Sequence, residues 1–225
     1  MVLPASLPSG LRASLRLVRD EIGLYRRHRK GIRKAIAYAG QIDLKLNIGC
    51  GPNLKVGWLN IDLLNPRADL ALDMREAMPF HDNSVAIIYS EHFFEHIDYP
   101  GPAKRFLKEC YRILQEGGTF SVGVPDTQWP FEAYVTPNSA ARAPDGRDYF
   151  VYSKQTWRPE WCETRMESIN YHFRQDGEHR FAYDYETLHH VLAEAGFRDI
   201  SRRAFDATLD TENRKIGTLY VDAVK

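Results

Sequence analysis

Residues 44–62 read LKLNIGCGPNLKVGWLNID and decide the fold of this 225-residue chain. Two apolar segments, Leu44–Ile48 and Trp58–Asp62, have the length of buried strands and flank a turn that holds two glycines. Glycines at the carboxyl end of a first parallel strand let the backbone approach a ligand closely. The second segment ends in an acid at the same edge. The stretch therefore predicts a ligand site at the carboxyl ends of parallel strands.

The rest of the chain continues to alternate short apolar segments with helical ones. Further strands are predicted at Asp69–Leu72, Val85–Tyr89, Thr119–Val124 and Thr218–Ala223. A helix is predicted over residues 102–116, and another begins after Asp184 and ends at Gly196. This alternation is typical of an α/β fold with a doubly wound, mostly parallel sheet that helices cover.

The spacing after the glycine turn indicates which nucleotide the site would take. A dinucleotide fingerprint has a third glycine and an acid about 20 residues further on. Here Leu54 stands in place of that glycine, and Asp62 follows Gly51 by only 11 residues. Pro52 also lacks the backbone donor that a pyrophosphate needs. An acid at the end of the second strand suits both hydroxyls of a ribose, and Asp73 suits an adenine amino group. The ligand implied is an adenosine without a pyrophosphate.

Several further motifs keep a fixed order after the glycine turn. They are GWLNID at 57–62, MPFHDNSV at 78–85, IYSEHFFEH at 88–96, RILQEGG at 112–118, YDYETL at 183–188 and LYVDAV at 219–224. Together with LNIGCGPN at 46–53 they resemble the class I S-adenosylmethionine-dependent methyltransferases, most closely the small bacterial group associated with glycan biosynthesis. The resemblance covers most of residues 42–225. One departure is Asn47, because many members have an acid at that position.

The resemblance implies S-adenosyl-L-methionine as the cofactor and a Rossmann-like methyltransferase fold. Its motifs, matched position by position, place the methionine part over the glycine turn, the ribose at the end of the second strand and the adenine beside the third. The implied cofactor contacts are Gly49, Cys50, Gly51, Asp62, Leu63, Asp73, Met74, Ser90 and Glu91.

Three side chains are candidates for catalysis of methyl transfer to an oxygen. Such a reaction needs orientation of the acceptor and gains from a base poised near neutral pH. His92 follows the predicted fourth strand, Asp126 ends the predicted fifth strand, and His179 lies where the chain returns to the fold. We expect these three residues to face the acceptor.

An aromatic-rich insertion, residues 127–180, follows the predicted fifth strand and contains ten of the 27 aromatic residues. Aromatic rings interleaved with arginines suit stacking on sugar or aromatic faces. We therefore expect this segment to cover the acceptor, a glycan or related small molecule that is methylated on a hydroxyl. A second small core around Trp129, Trp157 and Trp161 is an alternative that does not exclude the first.

A cluster of metal-ligating residue types accompanies the candidate base. His92, Glu95 and His96 are spaced so that a helical turn places them on one face, and His179 is a fourth candidate ligand. A Glu-His pair at this turn also occurs in methyltransferases that bind no metal. The expectation from the sequence is therefore that no metal is bound.

The zero net charge of the chain hides an asymmetry. Residues 1–40 carry nine Lys/Arg and two acids, a local charge of +7, and residues 41–225 carry −7. We therefore divide the chain into a basic helical segment, 1–40, and a methyltransferase domain, 41–225. A helix is predicted over residues 9–39 with an apolar stripe opposite its arginines.

The basic segment leaves three functional alternatives open. It could pack on the domain, attach the protein to an anionic membrane or to another polyanion such as the substrate of an RNA methyltransferase, or act as a transit peptide. The overall neutrality argues against a nucleic-acid partner. A non-catalytic partner subunit with the same fold is a further alternative, although the retained glycines and Asp62 argue against it. Three cysteines far apart in sequence and the absence of a secretory signal pattern favour the cytoplasm. The membrane alternative for the basic helix would place the protein peripherally at the membrane.

Overall fold

The computed structural model describes residues 8–136 and 146–225, and in this part of the chain one mixed sheet forms the centre. The strand order is β2-β1-β3-β4-β6-β5. The first four strands pair in parallel, and β6 pairs antiparallel with both β4 and β5. The strands are β1 (Leu44–Ile48), β2 (Leu59–Ile61), β3 (Val85–Glu91), β4 (Leu114–Pro125), β5 (Arg198–Arg202) and β6 (Thr218–Val224).

Helices cover the sheet and extend from its edges. They are α1 (Ser9–Ala35), α2 (Gly101–Ile113), α3 (Gln128–Val135), α4 (Tyr149–Thr156), α5 (Arg165–Arg174) and α6 (Tyr185–Ala195). α2 buries Leu107 and Cys110, and α6 buries Leu188 and Leu192, in the main core that also holds the central strands. The capping pattern predicted for α6 is confirmed, because the Asp184 carboxylate accepts from the Thr187 amide at 2.8 Å. The α/β class is confirmed.

Three details of the sheet differ from the sequence prediction. Residues 69–72 do not form a strand, since Leu70 makes only a single bridge to Ile61. The predicted fourth and fifth strands are therefore β3 and β4. α2 ends three residues before the predicted end, because Leu114 already pairs with Val85 at the start of β4. The edge strand β5 was not predicted, since its sequence RDISR is almost entirely exposed and carries no apolar alternation.

The N-terminal helix α1 contacts the domain mainly through its second half, although Glu21 also pairs with Arg75 at 3.4 Å. Its buried residues are Gly31 and Ala35. A Cβ on Gly31 would lie 2.1 Å from the Ala71 carbonyl oxygen, so this glycine permits close packing and does not interrupt the helix. The side chain of Arg27 donates to the Leu64 carbonyl oxygen at 3.3 Å. The second half of the basic segment is therefore packed on the domain.

The first half of α1 carries an apolar stripe that no described residue covers. The stripe residues are 39–61% exposed: Leu11, Leu15, Val18, Ile22 and Tyr25. No described helix is apolar over a length that would cross a bilayer. The helix is thus amphipathic with both faces in solvent.

The insertion after β4 forms a small helical layer, with residues 137–145 outside the described part of the chain. Helices α3, α4 and α5 share a second apolar cluster that includes Trp129, Tyr149 and Ile169. The second core predicted around three tryptophans is confirmed only for Trp129, because Trp157 and Trp161 are 39% and 54% exposed. The rings of Trp157 and Trp161 therefore remain partly exposed beside the sheet.

Candidate active site

The turn after β1 keeps bare backbone at the carboxyl edge of the sheet. Gly49 and Gly51 have φ angles of +66° and +47°, which glycine adopts without strain. The amide of Gly49 donates to the Ile61 carbonyl oxygen at 2.8 Å, which fixes the turn against β2. A Cβ on Gly49 would lie 2.3 Å from the Phe93 ring, whereas one on Gly51 would enter open space. The Phe93 ring therefore fills the space beside Gly49, whereas the space beside Gly51 is free.

The Asp62 carboxylate closes the turn from the end of β2. Its Oδ2 accepts from the Gly51 amide at 2.9 Å, and its Oδ1 accepts from the amides of Leu64 and Asn65 at 2.8 Å. A carboxylate offers about four lone-pair positions, and these contacts use three of them. The sequence suggested two ribose hydroxyls as partners. The structure leaves one position, on Oδ2, for a single hydroxyl.

Asp73 and Met74, the predicted adenine contacts, are already engaged within the protein. The Asp73 carboxylate accepts from Arg75 Nη2 at 2.7 Å, and its amide donates to His28 Nδ1 at 3.1 Å. Burial raises the pKa of Asp73, but the hydrogen bonds from Arg75 outweigh that effect and hold the pKa below its ordinary value. Met74 is buried in the main core. An adenine amino group would have to share the carboxylate with Arg75.

Two predicted cofactor contacts lie at the end of β3. One of them is hydrogen-bonded within the protein, and the other has no hydrogen-bond partner among the described residues. Glu91 is buried and accepts from the hydroxyls of Tyr220 and Thr211 at 2.9 and 2.6 Å, so it ties β3 to the C-terminal segment. The Ser90 hydroxyl is fully buried and has no hydrogen-bond partner among the described residues. Cys50 is buried, and burial followed by the charge of Asp62 raises the pKa of its thiol to about 12.

A cavity of about 350 Å³ lies next to these strand ends, under the aromatic cover. His92 and His179 line it, together with His172, Trp157, Tyr171 and Arg214. The structure thus brings two of the three predicted catalytic residues together.

The third candidate, Asp126, is not among the described residues that line this cavity, although its neighbour Pro125 is. Its Oδ1 accepts from the Gln128 amide at 3.0 Å, at the start of α3. Burial raises the pKa of Asp126. The carboxylate therefore has a capping contact in the fold and no observed contact with the two histidines.

His92 has a defined orientation. It adopts a left-handed φ of +52°, rare for a residue with a side chain, and its Nε2 lies 2.8 Å from Thr218 Oγ1. The Thr218 hydroxyl donates to the Arg214 carbonyl oxygen at 2.5 Å. Because that proton is used, Nε2 must donate to the hydroxyl, and Nδ1 of the neutral ring is left with a lone pair. Burial, then the charge of Arg214, lowers the pKa of His92 well below its ordinary value.

Comparison with known proteins identifies this architecture. Residues 63–122, which run from the end of β2 into β4, match a family model described as a methyltransferase domain. A possible exported protein from Bordetella parapertussis superposes with a TM-score of 0.51 at 16% identity, covering 89% of this chain and 67% of that one. The chain has a class I methyltransferase fold. No curated protein matches it.

Two further solved structures resemble this methyltransferase fold more distantly. A SAM-dependent methyltransferase from Archaeoglobus fulgidus has a TM-score of 0.49 at 18% identity, over 91% of this chain and 94% of that one. A possible histamine N-methyltransferase from Thermotoga maritima has a TM-score of 0.46 at 15% identity, over 93% and 96% of the two chains.

S-adenosyl-L-methionine is the cofactor of this methyltransferase fold, and the described residues fit it. The open backbone at Gly51, the remaining lone pair of Asp62 and the unpaired hydroxyl of Ser90 all lie at the carboxyl edge of adjacent strands. Sequence reasoning missed Arg75 and His28, which contact Asp73. Arg75 could have been found from the sequence, because it lies two residues after Asp73. His28 lies in a segment without any motif.

Proposed function

We propose that this protein transfers a methyl group from S-adenosyl-L-methionine to a hydroxyl of a glycan or a related small molecule. The observation that carries the proposal is the cavity of about 350 Å³ beside the strand ends, which combines three imidazoles, those of His92, His172 and His179, with aromatic side chains. Aromatic faces suit the C–H faces of a sugar, and imidazoles suit a hydroxyl that must lose its proton. When bound, the cofactor supplies an electrophilic methyl group.

The chain's own residues hold the acceptor and receive its proton in this proposal. Phe93 packs on Gly49 and directly follows His92, which lines the cavity. The cavity therefore adjoins the turn that would lie under the methionine part of the cofactor. Trp157 and Tyr171 supply aromatic surface elsewhere in the cavity. Orientation of this kind accounts for much of the catalysis of a transfer whose leaving group is already good.

Labelled cofactor tests the proposed reaction. The protein is incubated with methyl-labelled S-adenosylmethionine and a panel of glycans that differ in free hydroxyls, and labelled products are identified. Trp157→Ala should raise the acceptor KM about tenfold with cofactor affinity unchanged, as expected for a stacking contact of 1–3 kcal/mol. Trp161→Ala is the matched control, because Trp161 belongs to the same cover but does not line the cavity among the described residues.

The outcomes separate the alternatives. Labelled glycan with a KM effect confined to Trp157→Ala supports the proposal. Labelled RNA without labelled glycan would replace it with the RNA alternative. Cofactor binding without transfer to any acceptor in the panel or in a cell extract would favour a non-catalytic partner subunit.

We further infer that the first half of α1 lies on an anionic membrane surface. Its apolar stripe is exposed, while Arg12, Arg16 and Arg19 occupy other positions of the same exposed turns. A helix with an apolar stripe and a basic remainder suits the interface of an anionic bilayer, where both parts find partners. The second half of the helix would connect this contact to the domain.

A further inference from the structure

A buried carboxylate without a hydrogen-bond donor among the described residues lies beside His92 and His179, two histidines that line the cavity. Glu95 is 1% exposed, and neither of its side-chain oxygens has a hydrogen-bond partner among the described residues. Three imidazole nitrogens surround its Oε1, namely His92 Nδ1 at 3.7 Å, His96 Nε2 at 3.8 Å and His179 Nε2 at 4.0 Å. These distances exceed hydrogen-bond length, so the three rings lie near the carboxylate without a hydrogen bond to it.

The outer nitrogen of each ring is hydrogen-bonded to an oxygen, and this fixes the protons. His96 Nδ1 and His179 Nδ1 lie 3.1 Å from the carbonyl oxygens of Glu178 and His172. A carbonyl oxygen only accepts, so both Nδ1 atoms carry a proton. His92 donates through Nε2 to Thr218, as described above. In the neutral rings, all three nitrogens that face Glu95 therefore carry lone pairs.

Four acceptor atoms thus converge with no described donor between them. Such an arrangement is unfavourable for an ionised carboxylate when no ion is bound, because neither oxygen receives a hydrogen bond from a described residue. Burial accordingly raises the pKa of Glu95 to about 8, although the charge of Arg214 opposes this effect. The arrangement is also the pattern of a metal centre, in which each ligating histidine donates its other N–H to an oxygen. We propose that Glu95, His96 and His179, with His92 as a fourth ligand, bind a divalent transition-metal ion.

The donor set favours borderline ions over magnesium. Three imidazoles and one carboxylate suit Zn²⁺, Mn²⁺ or Fe²⁺, whereas Mg²⁺ prefers oxygen ligands and retains its waters. Ligand atoms of a tetrahedral zinc centre lie about 3.3–3.5 Å apart, which follows from bonds of about 2.0–2.1 Å. The ligand atoms of Glu95, His96 and His179 lie within 4.8 Å of one another, so these three side chains need to move closer together to hold an ion. His92 Nδ1 lies 3.7 Å from Glu95 Oε1 but outside that group, so it needs the larger movement.

The fold brings these ligands together from two distant segments. Residues 94–96 form one 3₁₀ turn after β3, which places Glu95 and His96 side by side. The amide of Arg180 donates to the Glu95 carbonyl oxygen at 2.8 Å, and this contact anchors His179 opposite the carboxylate. Helical spacing alone suggested three of the ligands. The fourth depends on this backbone contact.

The site faces the cavity proposed for the acceptor. His92 and His179 both line that cavity, so an ion between them is within reach of an acceptor oxygen. A divalent ion would lower the pKa of a bound hydroxyl, so that its proton could pass to solvent and not to an imidazole. The metal role in the reaction rests on the proposed function, but metal binding itself does not.

Calorimetry with the metal alone tests the site without any acceptor. The full-length protein is freed of metal with a chelator and titrated with Zn²⁺ and Mn²⁺. We expect one ion per chain, with affinity for the preferred ion about tenfold or more weaker in Glu95→Gln and in His179→Ala. His190→Ala is the matched control, because His190 is exposed on α6 away from the cluster. Its affinity should equal that of the parent protein.

A second readout guards against variants that fail to fold. Cobalt titrated into the parent protein should give visible absorption bands of a nitrogen- and oxygen-ligated ion, and His96→Ala, at a part-exposed ring, should change them. The absence of one-to-one binding by any of these ions would overturn the proposal. Equal affinities in Glu95→Gln and the parent protein would also overturn it. Metal binding without methyl transfer would leave the site intact and contradict only the proposed function.

Discussion

Gly49 and Gly51 are chemically identical but differ in what surrounds them. A methyl group on Gly49 would enter the Phe93 ring, whereas Gly51 has open space at the same place. Both have positive φ, so an alanine at either position strains the backbone. Only at Gly49 does a steric clash add to that strain. We therefore expect alanine to destabilise the protein more at Gly49 than at Gly51.

Gly49→Ala should lower the free energy of unfolding by about 2–4 kcal/mol, from backbone strain plus overpacking. Gly51→Ala should lower it by about 1–2 kcal/mol, from strain alone. Urea denaturation followed by circular dichroism measures both. Equal losses in the two variants would show that Phe93 does not pack on Gly49 in solution.

Asp62→Ala should weaken binding of S-adenosylhomocysteine about 10- to 150-fold, because one charge-assisted hydrogen bond contributes about 1.5–3 kcal/mol. Calorimetry measures the affinity. Asp69→Ala is the control, since Asp69 also holds a backbone amide, that of Asn60 at 2.8 Å, but has no predicted ligand contact. The assignment of the ribose to Asp62 is wrong if both variants bind as the parent protein does.

At the scale of elements, α1 consists of a packed half and an exposed half. The sequence assigns residues 1–40 to a basic segment apart from the methyltransferase domain. In the structure, Arg27 and His28 contact the loops after β2, next to Asp62 and Asp73. A chain beginning at Gln41 would lose those contacts. A chain beginning at Glu21 removes Leu11, Leu15 and Val18 of the exposed apolar stripe and keeps the contacts of Arg27 and His28.

The chain beginning at Glu21 should keep its cofactor affinity and lose binding to vesicles that contain anionic lipid. The intact chain should bind these vesicles, more weakly as salt rises, and should ignore neutral ones. Vesicle sedimentation measures the binding, with Arg12→Glu/Arg16→Glu as a full-length variant that reverses the charge. If the intact and shortened chains sediment equally, or if the intact chain binds only RNA, the membrane proposal fails.

At the scale of the whole molecule, the sequence predicted what depends on local pattern. Buried parallel strands are continuous apolar runs, so β1, β3 and β4 could be found without the structure. The polar edge strand β5 could not be found, because its pairing partner β6 lies in another segment. The same limit applies to the site. The glycine turn and Asp62 are neighbours in sequence, whereas Asp73 meets His28 across 45 residues.

The Glu95 cluster shows the limit most clearly. Its spacing in HFFEH suggested ligands, but the sequence does not show which ring nitrogens carry protons. That follows only from the carbonyl oxygens of Glu178 and His172, which tertiary structure brings into place. Residues that share a turn can be read from a sequence, whereas convergence of acceptors from distant segments cannot.

The carboxyl edge of β1 and β2 is expected to hold an adenosine cofactor without a pyrophosphate. Calorimetry of the intact protein with S-adenosylhomocysteine tests this assignment most directly, with NADH titrated in parallel. We expect one S-adenosylhomocysteine to bind per chain, S-adenosylmethionine to displace it, and NADH to give no heat. The assignment is contradicted if S-adenosylhomocysteine does not bind, or if NADH competes with it for the same site.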